Sequence, residues 1–138
     1  MQATEILETS LFAVDLPAAE AFYKKVLGLE LHSRKLPRHL FFRCGRSMLL
    51  IFNPEVTAAE IEKLDNGDTI PAQGAIGPGH VAFTMTEAEV EPWRQHLRAC
   101  GVQIDQDVAW PSGGRSLYFR DPAGNHLELV TRSVWKGL

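Results

Sequence analysis

Cysteine is nearly absent: Cys44 and Cys100 are the only two in 138 residues. Two cysteines without metal-ligand spacing give neither a disulfide framework nor a structural zinc site, so a reducing, cytoplasmic home is expected. No basic run appears and the formal net charge is −3, which argues against nucleic acid as a partner. No apolar run has the length of a bilayer, and no segment reads as a signal peptide, so no membrane partner is expected. What is present is the composition of an ordinary globule, 45% hydrophobic and 22% charged, at a length that suits one domain over 1–138 with a real core.

The chain alternates between two periodicities. Ile6 to Val14 reads as a strand with Leu7, Thr9, Leu11 and Ala13 on one face and Glu8, Ser10, Phe12 and Val14 on the other. Asp15-Leu16-Pro17 reads as a helix start, and Gly28 as its end. Ala21, Phe22, Val26 and Leu27 supply the expected apolar stripe. Leu29 to His32 returns as a strand, and Leu40 to Phe52 reads as a hairpin turning at Cys44-Gly45-Arg46. Thr57 and Glu60 resemble a capping box for a short helix reaching Leu64. Asp65 to Gly79 is rich in glycine and proline and reads as loop.

The pattern then starts again. His80 to Met85 alternates, Thr86 and Glu89 form a second capping box, and Trp93, Leu97 and Cys100 make a stripe that Gly101 ends. Val102 to Ile104 reads as the next strand, and Ser116 to Val130 as a hairpin turning through Asp121-Pro122-Ala123-Gly124-Asn125. Glu8 aligns with His80 and Leu11 with Phe83 at one offset, which grows by a few residues for Gly28 with Gly101, Phe42-Arg43 with Phe119-Arg120, and Leu50 with Glu128. This is an internal repeat of a βαβββ unit. The expected fold is α+β, with modules at 5–53 and 80–131, a connector at 54–79, and one curved mixed sheet around a cup.

Glu128 draws attention within the second hairpin. Leu127 and Leu129 share one face of that strand, His126 and Glu128 the other. A carboxylate in so apolar a run is costly to bury unless a cation or proton compensates it.

Together, the repeat, ETSLFAVDL…AFYKKVLGLEL, GPGHVAF and RSLYFRDPAGNHLELV resemble the vicinal oxygen chelate superfamily over nearly the whole chain, Ile6 to Val130. That superfamily includes glyoxalase I, fosfomycin- and bleomycin-resistance proteins, methylmalonyl-CoA epimerase and extradiol dioxygenases. The resemblance implies a divalent metal held by the first and last strands of each unit, at positions that here carry Glu8, Leu50, His80 and Glu128. Leu50 cannot ligate, which leaves Glu8, His80 and Glu128. Two carboxylates and an imidazole suit Zn, Mn, Ni or Fe.

The resemblance also implies roles nearby. Glu8 or Glu128 would act as catalytic base. Ser10, Phe12, Arg43, Ser116, Tyr118 and Arg120 would line the substrate. Ser116 and Tyr118 match phosphonate-holding positions of fosfomycin-resistance enzymes, but Val108-Ala109-Trp110 stands where those enzymes have a lysine. Arg43, Arg115 and Arg120 offer guanidinium forks to an anionic group. Trp110 to Gly114 reads as a flexible loop suited to closing over a ligand.

The expected function is a metal-dependent isomerase, lyase or transferase on a small oxygen-bearing substrate, the metal acting as Lewis acid. A metal-free, ligand-sequestering protein of the bleomycin-resistance kind is the alternative. An extradiol dioxygenase fits less well, since it uses two histidines and one carboxylate. Family members of this size are usually homodimers, and Trp135 in the tail has no obvious core slot, so a homodimer is expected.

Overall fold

The structure is a computed structural model that describes residues 2–137. The chain divides at Pro78/Gly79 into two compact units. Each is built around a four-stranded sheet.

In the first unit, β1 (Glu8–Phe12) leads into α1 (Leu16–Lys25), then β2 (Glu30–Lys35), β3 (His39–Cys44) and β4 (Ser47–Phe52). The sheet order is β1-β4-β3-β2, with β1 parallel to β4 and the other pairs antiparallel. Asp15 caps α1 by accepting the Ala18 N–H at 2.9 Å, and Gly28 turns the chain out of it at φ 64°. The stripe read in the sequence holds in part: Val26, at the C-cap, is buried and Phe22 and Leu27 are half-buried. Leu16, Ala19 and Tyr23 are buried, with Tyr23 packed on Phe42 at 5.5 Å between ring centroids. Ala21 is exposed. The helix begins at Leu16 itself, so the inward positions fall three and four residues on from there.

The connector also differs. Its helix, α2 (Pro54–Thr57), lies a turn earlier than expected and is capped by Asn53, which accepts the Glu55 N–H at 3.0 Å. Thr57 ends the helix rather than starting it. Its hydroxyl is buried and donates to the carbonyls of Asn53 and Gln73. Beyond it, β5 (Glu62–Lys63) and β6 (Thr69–Ile70) pair as a short ladder. Glu60 and Glu62 reach back to the buried guanidinium of Arg38.

The second unit repeats the plan. It runs β7 (His80–Met85), a 3-10 turn at Glu87–Glu89, α3 (Val90–Ala99), β8 (Ile104–Ala109), β9 (Arg115–Arg120) and β10 (His126–Thr131). The sheet order β7-β10-β9-β8 repeats that of the first unit strand for strand, again with the first and last strands parallel. Thr86 and Glu89 do form a capping box, and Pro92 lies in the first turn of α3 without breaking it. The strand after α3 starts at Ile104 rather than Val102. Leu97, Leu117, Phe119, Leu127 and Leu129 are fully buried and form this unit's core. Hydrogen bonding thus builds two four-stranded sheets rather than one continuous sheet. Among the described residues no helix is long and apolar enough to cross a membrane.

Candidate functional site

Pairing register sorts the sequence candidates onto one face of each sheet. In the second unit, three cross-strand rows share a face: His80–His126–Arg120, Ala82–Glu128–Tyr118 and Thr84–Val130–Ser116. The corresponding rows of the first unit are Glu8–Met48–Arg43, Ser10–Leu50–Phe41 and Phe12–Phe52–His39. Glu8 therefore occupies the position of His80, and Leu50 that of Glu128. One sheet face is polar and ionisable; its counterpart is largely aromatic.

The second unit brings His80, Glu128, Tyr118 and Ser116 together. Glu128 is buried at 7% exposure, and its Oε2 lies 3.4 Å from Nε2 of His80. The other ring nitrogen of His80 is 3.1 Å from the carbonyl oxygen of His126. A carbonyl only accepts, so Nδ1 carries the proton in that bond, and Nε2 is the ring atom that faces the carboxylate. A carboxylate oxygen and an imidazole nitrogen side by side are donors that a cation can use, with a backbone carbonyl fixing the ring's orientation. These two residues fit a metal. Among the described residues no three His, Cys, Asp or Glu side chains gather into one cluster, so the pair is what this unit itself supplies.

The indole N–H of Trp110 donates to Ser116 Oγ at 2.8 Å. Tyr118 faces Glu128 across the β9–β10 pair, and Ser116 lies two residues along the same face. An indole can only donate, so Ser116 accepts from Trp110. Burial pushes the Tyr118 hydroxyl above its ordinary pKa, the bond to Glu128 and that carboxylate's charge add to the effect, and the Ser116 bond opposes it. Tyr118 thus stays a neutral donor. Its ring also stacks beside His80 at 6.5 Å.

The loop from Trp110 to Gly114 is tethered, not free as its composition suggested. Trp110 N–H donates to the Gly114 carbonyl, Gly113 N–H donates to the Trp110 carbonyl, and the indole is tied to Ser116. Gly114 has φ 88°, and a Cβ there would meet Ser133 Oγ and Thr131 Oγ1 at 2.7 Å. Only glycine fits that approach.

The arginines fare differently from one another. Arg120 is bound to Asp105 at 3.0 Å and to the Gly124 carbonyl, and Arg115 to Asp107. Arg43 instead lies 3.1 Å from Nδ1 of His32; among the described residues it has no carboxylate partner, so its charge is available to an anion.

In the first unit Glu8 is exposed, while Ser10 and Phe12 are half-buried. Phe12, Phe41 and Phe52 form a chain of ring contacts, and His39 stacks on Phe41 at 4.0 Å. His39 is buried, with Nε2 on Ser33 Oγ at 3.2 Å and Nδ1 without a partner among the described residues. Burial lowers its pKa; Glu62 opposes this, while Lys35 and Arg38 reinforce it. It is the backbone carbonyl of His126 that orients His80. No residue-type signal marks a backbone oxygen. Trp110 as hydrogen-bond donor was missed too, though its position six residues before Ser116 across a tight turn was the available sign.

The family model for the Glyoxalase/Bleomycin resistance protein/Dioxygenase superfamily matches residues 5–129. The chain is similar to a glutathione transferase FosA of Serratia marcescens, at 32% identity over 87% of this chain and 75% of that protein. It resembles a metallothiol transferase FosB of Bacillus licheniformis at 29% identity, over 93% of this chain and 76% of the relative. Among solved structures, a lactoylglutathione lyase from Agrobacterium tumefaciens superposes with a TM-score of 0.89 at 40% identity, covering 98% of each chain. With its doubled βαβββ plan and a family match spanning both units, this chain belongs to the Glyoxalase/Bleomycin resistance protein/Dioxygenase superfamily.

Proposed function

We propose that the chain is a divalent-metal-dependent enzyme of lyase, isomerase or transferase type, acting as a homodimer on a small oxygen-bearing substrate together with a thiol of the glutathione kind. The observation that carries this reading is the His80–Glu128 pair, 3.4 Å apart, with the histidine tautomer set by the His126 carbonyl. The thiol is supported by the relatives, whose names include a glutathione transferase, a metallothiol transferase and a lactoylglutathione lyase.

His80 and Glu128 would hold the ion; Zn, Mn, Ni or Fe suits carboxylate and imidazole donors. When bound, the ion supplies Lewis acidity to substrate oxygens. The remaining work belongs to the protein. Glu8 or Glu128 takes the substrate proton as a general base. Tyr118, kept as a donor, steadies the Glu128 carboxylate, and Ser116 and Trp110 fix its direction. Arg43 meets an anionic group, while Ser10 and Phe12 contact the less polar part of the substrate.

One observation favours a second reading, a metal-free protein that sequesters its ligand. No three ligating side chains gather among the described residues. Metal analysis of the purified protein beside Glu128→Ala separates the two. The enzyme reading expects the wild type to hold more metal than the variant, by a near-stoichiometric difference. It also expects chelation to lower the Tm of the wild type more than that of the variant, because a ligand bound only by the native state stabilises it by mass action. Equal melting of both proteins with and without chelator would sink it.

A further inference from the structure

We propose that His96 and Cys100 form a second metal-binding site, a thiolate–imidazole chelate for a soft or borderline divalent ion such as zinc, cobalt or cadmium. The two residues are four apart at the C-terminal end of α3, so they project from one face of the helix. Sγ of Cys100 lies 3.6 Å from Nε2 of His96. A zinc ion binds sulfur at about 2.3 Å and imidazole nitrogen at about 2.0–2.1 Å, and at a tetrahedral angle those ligand atoms stand about 3.5 Å apart. The bite is already set. Trp93, one turn before His96, meets its ring edge-on at 5.5 Å and 80° and restrains the imidazole plane.

The surroundings suit a cation. Cys100 is the C-cap of α3, where the helix dipole presents its negative end. His96 is exposed and Cys100 half-buried, so an ion reaches both atoms and keeps water on its remaining positions. Binding forms a metal–sulfur and a metal–nitrogen bond and releases the thiol proton to solvent; no electrons are transferred. Cys44 is a poor competitor, because burial raises the pKa of its thiol and works against the thiolate that a metal requires. Neither His96 nor Cys100 belongs to the rows that carry Glu8, His80 and Glu128, so the proposal stands apart from the enzyme reading.

Titration with cobalt(II) alone tests it. A thiolate-to-cobalt charge-transfer band should grow in the near ultraviolet for the wild type, for Cys44→Ser and for Glu128→Ala. Cys100→Ser should abolish the band. His96→Ala, a change at an exposed position that leaves the fold intact, should shift the titration to roughly tenfold or more higher cobalt, at least the cost of losing an outer-sphere partner. A band that is absent through millimolar cobalt, survives Cys100→Ser, or ignores His96→Ala overturns the proposal.

Discussion

The carboxylates Glu8 and Glu128 have unlike surroundings, and that sets their separate tests. Glu128 is buried and faces Tyr118 across the strand pair; Glu8 is exposed on β1. A carboxylate that moves a proton during turnover matters more to rate than to capture. Glu8→Gln should keep ligand binding within about tenfold, roughly 1.4 kcal/mol, while kcat falls by about 10²-fold or more, the scale for losing a general base. Isothermal titration and initial rates with hemithioacetal, epoxide and acyl-CoA substrates would check this; parallel losses in both would refute it. His39 gives a second test, in pH. Its pKa is lowered from an ordinary value near 6.5, chiefly by burial. The unfolded chain therefore binds a proton that the folded chain resists. Stability should be full above about 6.5 and decline as pH falls through the window below it. Urea melts between those conditions should show a shallower decline for His39→Gln; an unchanged slope would remove His39 as the cause.

At the scale of the element, the hairpin of β9 and β10 was the most legible part of the chain. Its turn states its own chemistry: Asp121 is buried and accepts the N–H groups of Ala123 and Asn125, and Asn125 returns a side-chain bond to it and accepts the Gly79 N–H. Asp121→Ala would leave these donors unsatisfied in a buried turn, and should cost about 2–3 kcal/mol in urea unfolding. A loss under about 0.5 kcal/mol, the level of an ordinary surface change, would show that the turn holds without it. The connector was the least legible. Thr57 with Glu60 satisfied the capping pattern, but Asn53-Pro54 satisfied it first, and Glu60 went to Arg38 instead. Local cap signals carry no knowledge of a buried guanidinium elsewhere that needs carboxylates. The α1 stripe was legible in part: Val26 is buried as expected, while Tyr23, left out of that stripe, is fully buried against Phe42.

For the whole molecule, the repeat was legible because glycines and strand patterns recur along the chain, and identical sheet orders and registers bear the alignment out at residue level. The divided hydrogen bonding was not legible, since strand patterns do not say where a sheet ends. Trp135 is 64% exposed, a large aromatic area for water to cover. Light scattering at micromolar concentration should return a dimer, and Trp135→Ser should shift it toward monomer. A monomeric wild type would overturn the assembly proposed here.

The strand order β7-β10-β9-β8 has a consequence in time. During synthesis β7 is the first strand of its unit to emerge, but its one hydrogen-bonded neighbour, β10, is made last and must insert between β7 and β9. His80 therefore leaves the ribosome almost fifty residues ahead of the carboxylate that faces it, Glu128. No growing chain can present this half-site until its final strand is home. For the metal proposed above, capture by a nascent chain would then have to wait for β10.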